Sequence, residues 1–354
     1  MYDEGPYEDS VLKDINISAM TWNMANQNPP PQVMLQLANQ IKTNPDILVF
    51  SLQEAKETWS KSENAAQRIT KRLNQAQDDS NEYVILHNDR FRVMTKPFEI
   101  SNYFNIAQTN LVIAVKKSLL KHVSIETAGS ESSGNKGGLF ASIKIGDKKI
   151  GIISVHLDSY SKEKRQQQTA ILMDHFKDES FDDIIILGDL NERFETGFHR
   201  SDDVPSTLLG ELQQSQYEKK LIEEYDPISR NETYLSTEHK FKFHQPDHYT
   251  YAEVDTDGNL RDKPKRQGQL DIGALDNIGC REKALTPTSP VVITPKDSTG
   301  HAISDHNAVF CDMVLSDVTL TSKYTVGNIF QPFYTTTTAS TEYIEMDNLS
   351  GSTS

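Results

Sequence analysis

Ile184-Ile185-Ile186-Leu187-Gly188-Asp189-Leu190-Asn191 is an apolar run that stops on a glycine, an aspartate and, two residues on, an asparagine. Four uninterrupted apolar residues predict a strand buried on both faces. The polar residues at its end offer a proton acceptor and a neutral hydrogen-bond donor at one point of the fold. Gly, Asp and Asn are also the usual turn residues, so an isolated copy is an ordinary strand-to-loop turn. Four further stretches share this grammar. Ser18-Ala19-Met20-Thr21-Trp22-Asn23 ends in an amide, Ile47-Leu48-Val49-Phe50-Ser51-Leu52-Gln53-Glu54 in a carboxylate and Ile150-Gly151-Ile152-Ile153-Ser154-Val155-His156 in an imidazole, while Ile303-Ser304-Asp305-His306 precedes the run Ala308-Val309-Phe310. If the five ends converge, they supply an acidic metal ligand, hydrogen-bond donors, a water-orienting aspartate and an Asp-His pair. That inventory suits metal-assisted attack of water on phosphorus.

The ordered blocks Thr21-Trp22-Asn23-Met24, Leu52-Gln53-Glu54, Gly134-Asn135-Lys136-Gly137-Gly138, Ser154-Val155-His156-Leu157, Gly188-Asp189-Leu190-Asn191 and Ser304-Asp305-His306 resemble the endonuclease/exonuclease/phosphatase superfamily. Within it they resemble the inositol polyphosphate 5-phosphatases. The resemblance spans roughly Asp14 to Leu315. Most blocks are shared with nucleases and sphingomyelinases of the superfamily, whereas Gly134-Asn135-Lys136-Gly137-Gly138 and Thr21-Trp22-Asn23-Met24-Ala25-Asn26 resemble the phosphoinositide phosphatases more narrowly. Glycines that admit backbone amides and a lysine that adds a point charge suit a phosphate, and a glycine-rich hairpin before the strand Leu139–Ile145 is the plainer alternative. Two departures bear on specificity. A Pro-Thr-Tyr-Lys-like segment is matched only by Pro246-Asp247-His248-Tyr249-Thr250, with threonine in place of lysine. A Pro-Ser-Trp-Cys-Asp-Arg-like segment is matched only by Arg266-Gln267-Gly268-Gln269-Leu270-Asp271-Ile272, which keeps the aspartate.

A formal charge of −15 over 354 residues argues against a protein held on nucleic acid by a general cationic surface. It leaves room for a local basic mouth, with Lys136 the basic residue singled out by its motif. Two cysteines, Cys280 and Cys311, have no metal-ligand spacing and read as reduced thiols. The acidic start, the lack of an apolar run near 20 residues and the lack of a terminal prenylation cysteine imply a cytoplasmic protein, or one peripheral at a cytosolic membrane face; a monomer is expected. Delivery into another cell is a further option for such a chain.

The expected architecture is α+β, a two-sheet β-sandwich flanked by helices, four-layered and DNase I-like, because hairpins and crossover helices alternate. Helices are expected over Pro31–Thr43, Lys61–Gln75, Ser161–Phe176 and Leu208–Tyr225, and strands at Tyr83–Leu86, Leu111–Val115, Leu139–Ile145 and Ile150–Val155, the last two joined by a turn at Gly146–Lys149. The division along the chain is an N-terminal extension over 1–13, a catalytic domain over 14–317 and a poorly ordered Thr/Ser-rich tail over 318–354.

From the residue types, Glu54 is expected to hold a divalent ion through oxygen with Asn23 beside it, and Mg²⁺ fits a site with few carboxylates. Asp189 is expected to orient and deprotonate water, Asn191 to hydrogen-bond non-bridging oxygens, and His156 and His306 to donate to the phosphoryl group. The resemblance further implies that Asp271 pairs with His306, with Asp276 as its rival, that Asp305 lies near the metal, and that Asn135, Lys136, Tyr249 and Arg266 contact substrate. The expected activity is Mg²⁺-dependent removal of the 5-phosphate from a phosphoinositide or soluble inositol polyphosphate. A phosphodiesterase of the same fold and an inactive lipid-binding adaptor are the alternatives.

Overall fold

A computed structural model describes residues 10–41, 44–56, 63–75, 78–79, 81–93, 107–133, 136–177, 180–194, 215–230, 232–244, 247–252 and 272–321. In chain order these form β1 (Ser10–Asn23), α1 (Pro31–Ala38), β2 (Ile47–Lys56), α2 (Ala65–Asn74), β3 (Tyr83–Val93), β4 (Ala107–Lys116), β5 (Val123–Ser133), β6 (Lys136–Ile145), β7 (Lys148–His156), α3 (Lys162–Asp174) and β8 (Asp183–Asp189). There follow α4 (Glu218–Tyr225), β9 (Lys242–Phe243), β10 (Tyr251–Ala252), β11 (Ile272–Gly273), β12 (Asp276–Cys280), β13 (Leu285–Pro287), β14 (Val291–Ile293) and β15 (Ala308–Thr321).

Among the described residues two large sheets face each other. One runs β13-β15-β1-β2-β4-β3 with β14 on β15, the other β5-β6-β7-β8-β12-β9. The expected sandwich is therefore what the chain forms. Each sheet contains one parallel pair, β1 with β2 and β7 with β8. A helix lies between the strands of each pair, α1 in the first and α3 in the second, as a parallel crossover requires. Alternation along β1 explains the layering. Ile15, Ile17 and Ala19 join the core between the sheets, while Met20 and Trp22 join a second core with Val33, Met34 and Leu37 of α1 and Ile69 of α2. The outer face of the second sheet packs Ile153, Ile184 and Ile186 against Leu172 and Phe176. The helices are fixed locally: Pro31 sits in the first turn of α1, and Asn64 and Gln67 form a reciprocal capping box on α2.

Several boundaries differ from expectation. β1 starts at Ser10 and β15 runs through Thr321, with Val318 buried, because the two strands pair beyond both limits of 14–317. β5, too polar on its outer side to stand out, pairs along all of β6. Of the helix expected over Leu208–Tyr225, residues 208–214 lie outside the described residues, Ser215–Tyr217 is a 3₁₀ turn and Glu218–Tyr225 is α-helical. The turn at Gly146–Lys149 is the two-residue link Gly146-Asp147, and Gly146 has φ of +58°.

Candidate active site at the carboxyl ends of two parallel pairs

The second sheet sets one row of the site by register. Gly137 pairs with His156, His156 with Asp189, and Asp189 with Asp276. Directly paired residues share a face, so this row presents an imidazole and two carboxylates toward the first sheet. Gly188 makes the approach possible. Its φ is +145°, and a Cβ there would lie 2.0 Å from the carbonyl oxygen of Val155. Gly137 and Gly138 serve the same end, since a Cβ on either would meet the Glu131 or Ser154 carbonyl at 2.2 or 2.5 Å. Gly137 and Gly138 are thus strand-packing residues, while Gly134 lies outside the described residues.

The first sheet supplies the facing half. Asn23 pairs with Gln53 at the end of β1, and a bulge between Leu52 and Ala55 re-aims Glu54, whose φ is +48°. Asn23 Nδ2 donates to Asp189 Oδ2 at 2.9 Å across the sandwich. Glu54 Oε1 stands 3.7 Å from His156 Nε2 and 3.9 Å from Lys136 Nζ, and Lys136 Nζ also touches His156 Nε2. His156 Nε2 is 3.4 Å from Asp189 Oδ2. His306, in the turn before β15, places Nδ1 2.6 Å from Asp276 Oδ2. Trp22 Nε1 donates to the His306 carbonyl, and Ser304 Oγ accepts from His306 N while donating to the Asn23 carbonyl.

The electrostatics divide the two histidines. Burial lowers the pKa of His156 and the Lys136 charge lowers it further, outweighing the Asp189 hydrogen bond, so His156 is neutral near pH 7. Burial also opposes charge on His306, but the facing Asp276 carboxylate, with Asp189 and Asp305, raises its pKa to about 9. Burial penalises charge on Asp276 as well. Burial, with Asp189 and Asp305, raises the Asp276 carboxyl to about 7; we assign the imidazolium–carboxylate form to neutral pH because the 2.6 Å contact favours the charged form of both partners and Asp189 adds to the preference for the cation. Asp189 is buried, which opposes its ionisation, yet its hydrogen bond with His156 and the charges of His306 and Lys136 hold it well below the usual carboxylate range.

The expected residues fall as follows. Asn23, Glu54, Lys136, His156, Asp189 and His306 form one connected cluster. The carboxylate on His306 is Asp276, the rival in the near-repeat, because β12 places it in register with Asp189; Asp271 lies outside the described residues, as do Asn135 and Arg266. Asn191 is present with φ of +53°, but its Nδ2 donates to the Leu157 carbonyl at 2.9 Å and its N to Asp189 Oδ1 at 3.0 Å. One side-chain N–H remains for a ligand. Asp305 is exposed and adjoins His306. Tyr249 is buried, edge-on to Phe194, and its hydroxyl meets no hydrogen-bond partner among the described residues. The tyrosine that packs on the His306 ring is Tyr251, with centroids 4.7 Å apart. Thr250, where lysine was expected, uses its hydroxyl to accept from Asp276 N at 2.9 Å.

A family model for Endonuclease/Exonuclease/phosphatase family 2 matches residues 20–250. The chain belongs to that family. Membership supports a hydrolase of phosphate esters. No curated protein sequence matches this family 2 chain. Its fold is similar to that of the inositol polyphosphate 5-phosphatase domain of SPsynaptojanin, solved with inositol (1,4)-bisphosphate and calcium ion, at 19% identity and a TM-score of 0.60, covering 88% of this chain and 87% of that one. It is also similar to Cimex nitrophorin in a ferrous NO complex, at 14% identity and a TM-score of 0.55, covering 86% and 99%. So different a pair shows that the fold alone does not choose the ligand.

The side chains present fit a hard divalent ion. The donors are carboxylate and amide oxygens, Glu54 is part-exposed, and Asp276 Oδ1 is buried with no partner among the described residues. Asp189, Asp276 and His306 also bring one potential ligand atom each within 4.8 Å of one another. A cationic His306 would repel a metal, so Glu54 is the carboxylate that would hold such an ion, against the competing Lys136 ammonium 3.9 Å away. Among the described residues no helix is long and apolar enough to cross a membrane.

Proposed function

We propose that this family 2 member is a Mg²⁺-dependent phosphomonoesterase that removes the 5-phosphate from phosphoinositides or soluble inositol polyphosphates by direct attack of water. The observation that carries the reading is the placement, within one buried cluster, of an ionised Asp189 between a neutral His156 and a cationic His306. Asp189, held acidic and gripped by Asn23, is a weak base and serves chiefly to orient the attacking water. His306 and His156 donate to the phosphoryl oxygens as charge builds there, and Asp276 keeps His306 protonated. Lys136, against Glu54 and His156, adds the point charge that favours a dianionic monoester over a diester. Mg²⁺ held by Glu54, with Asn23 beside it, would polarise a phosphoryl oxygen and lower the pKa of water. The substrate is a phosphoinositide or inositol phosphate, met at a membrane surface or free in the cytoplasm by a monomeric protein.

A second reading rests on Thr250. With its hydroxyl committed to Asp276 N, that position offers no lysine charge to a neighbouring ring phosphate, and a phosphodiester would not need one. The two separate in one assay: release of inorganic phosphate from a panel of phosphoinositides and inositol phosphates, with Mg²⁺ and with chelator, beside a plasmid-nicking control. Mg²⁺-dependent phosphate release supports the first; nicking without phosphate release replaces it with the second.

A further inference from the structure

Directly beneath the cluster lies a chain of buried hydroxyls and one amide. Gln53 Nε2 donates to Ser51 Oγ at 2.6 Å and to Thr21 Oγ1 at 3.2 Å. Ser51 Oγ is 2.6 Å from Ser154 Oγ and donates to the Leu187 carbonyl at 3.4 Å. Thr21, Ser51, Gln53 and Ser154 have no exposed surface. Thr21 and Gln53 belong to the first sheet, Ser154 and Leu187 to the second, so the chain bridges the sandwich. Every member sits just behind a site residue: Thr21 two before Asn23, Ser51 three and Gln53 one before Glu54, Ser154 two before His156, Leu187 two before Asp189.

Its place explains what it does. The core deeper between the sheets is aliphatic, with Ile17, Val49, Ile113, Leu139, Ile152 and Ile185 among its members. Apolar contact is strong but non-directional, so it does not by itself set the orientation of the polar groups at the sheet ends. Hydrogen bonds are directional. The contacts that make the site are themselves inter-sheet contacts: Asn23 to Asp189, Glu54 to His156, and His306, which leads into β15, to Asp276. A slip of the sheets would open all three at once.

Resting on the reading of the cluster as a hydrolytic site, we infer that Thr21, Gln53, Ser51 and Ser154 are positioning residues that hold the two halves of the site in register, with Gln53 as the hub. None of them touches the reacting groups. A misplacement near 1 Å costs on the order of 10²-fold in rate, and the loss falls on kcat, since the phosphate-binding side chains are all retained.

The test compares Thr21→Val, Thr21→Ser and Gln53→Met with wild type, using whichever ester the wild-type protein hydrolyses, from the inositol phosphate panel or bis(p-nitrophenyl) phosphate. Thr21→Val keeps shape and loses the hydroxyl; Thr21→Ser keeps the hydroxyl. Expected are falls in kcat of about 10- to 100-fold for Thr21→Val and Gln53→Met with KM within about twofold, and near-wild-type kcat for Thr21→Ser. Equal kcat for Thr21→Val and Thr21→Ser, both folded by thermal melt at the assay temperature, overturns the inference. Crystal structures give the second readout: in Thr21→Val or Gln53→Met the 2.9 Å Asn23–Asp189 contact lengthens if the inference holds and stays put if it does not. A wild type silent toward inositol phosphates but active on the diester ends the phosphomonoesterase reading and leaves this test intact.

Discussion

Asp276→Asn removes the charge facing His306 Nδ1 while keeping nearly the same shape. The rise in His306 from 6.5 to about 9 corresponds to a preference for the imidazolium of about 3 kcal/mol. Without Asp276, burial again dominates, and only Asp189 and Asp305 oppose it. The asparagine amide can also donate to Nδ1 and so favour the neutral ring. Wild-type activity should therefore hold through neutral pH and fall on an alkaline limb near 9, as His306 loses its proton. In the variant that limb should move to pH 7 or below. At pH 7.5 turnover should drop by about fourfold for a limb at 7, with roughly tenfold more for each further unit of downshift, and recover toward pH 5.5. The assay is initial-rate phosphate release from pH 5 to 10 at saturating Mg²⁺. An alkaline limb that remains near 9 in a folded Asp276→Asn protein would refute the pairing as the source of the proton.

Glu54→Gln keeps shape and removes the charge proposed to hold the ion; half-maximal activity should need at least about 10-fold more Mg²⁺, read by metal titration, and an unchanged requirement would assign the ion elsewhere. Asp189→Ala should lose at least about 10²-fold in turnover with folding retained, and near-wild-type phosphate release would remove Asp189 from the mechanism. Gly188→Ala forces a Cβ into the Val155 carbonyl at a backbone conformation suited to glycine, and urea unfolding should show a loss above about 2 kcal/mol. Asp226 tests a different region. Burial, with Glu192 nearby, raises it from 3.8 to about 7, so the unfolded chain ionises first and the native state is progressively penalised as pH rises from about 4 to 7. Asp226→Asn, which keeps an acceptor for the Ser229 N–H and hydroxyl, should therefore gain stability relative to wild type between pH 5 and 8. A melting difference independent of pH would show that the charge is not what burial disfavours.

The five strand ends were legible because each is an apolar run broken by a residue that burial alone would not select. Local pattern also gave the sandwich, since hairpin turns and amphipathic helices alternate. It could not choose between Asp271 and Asp276, whose surroundings in sequence are near-copies. That choice is made by pairing of β12 with β8, a contact between residues 87 apart, Asp189 and Asp276. Asn191 shows the same limit from the other side: the motif marks it as a donor, and only the fold reveals that Leu157 takes one of its hydrogens. Ser51 and Ser154 look like dilutions of two apolar strands until the sheets close and bring them together. β5 lacks any end signal, and its partner β6 is what makes it a strand.

One parallel pair in each sheet means that neither half of the molecule owns a working centre. A folding intermediate with one sheet formed would bind, at most, a fragment of the transition state. Recovery of catalysis during refolding should then trail recovery of far-ultraviolet dichroism and coincide with the last event, when the halves clasp. The chain thus carries its own stopwatch for docking, readable through turnover.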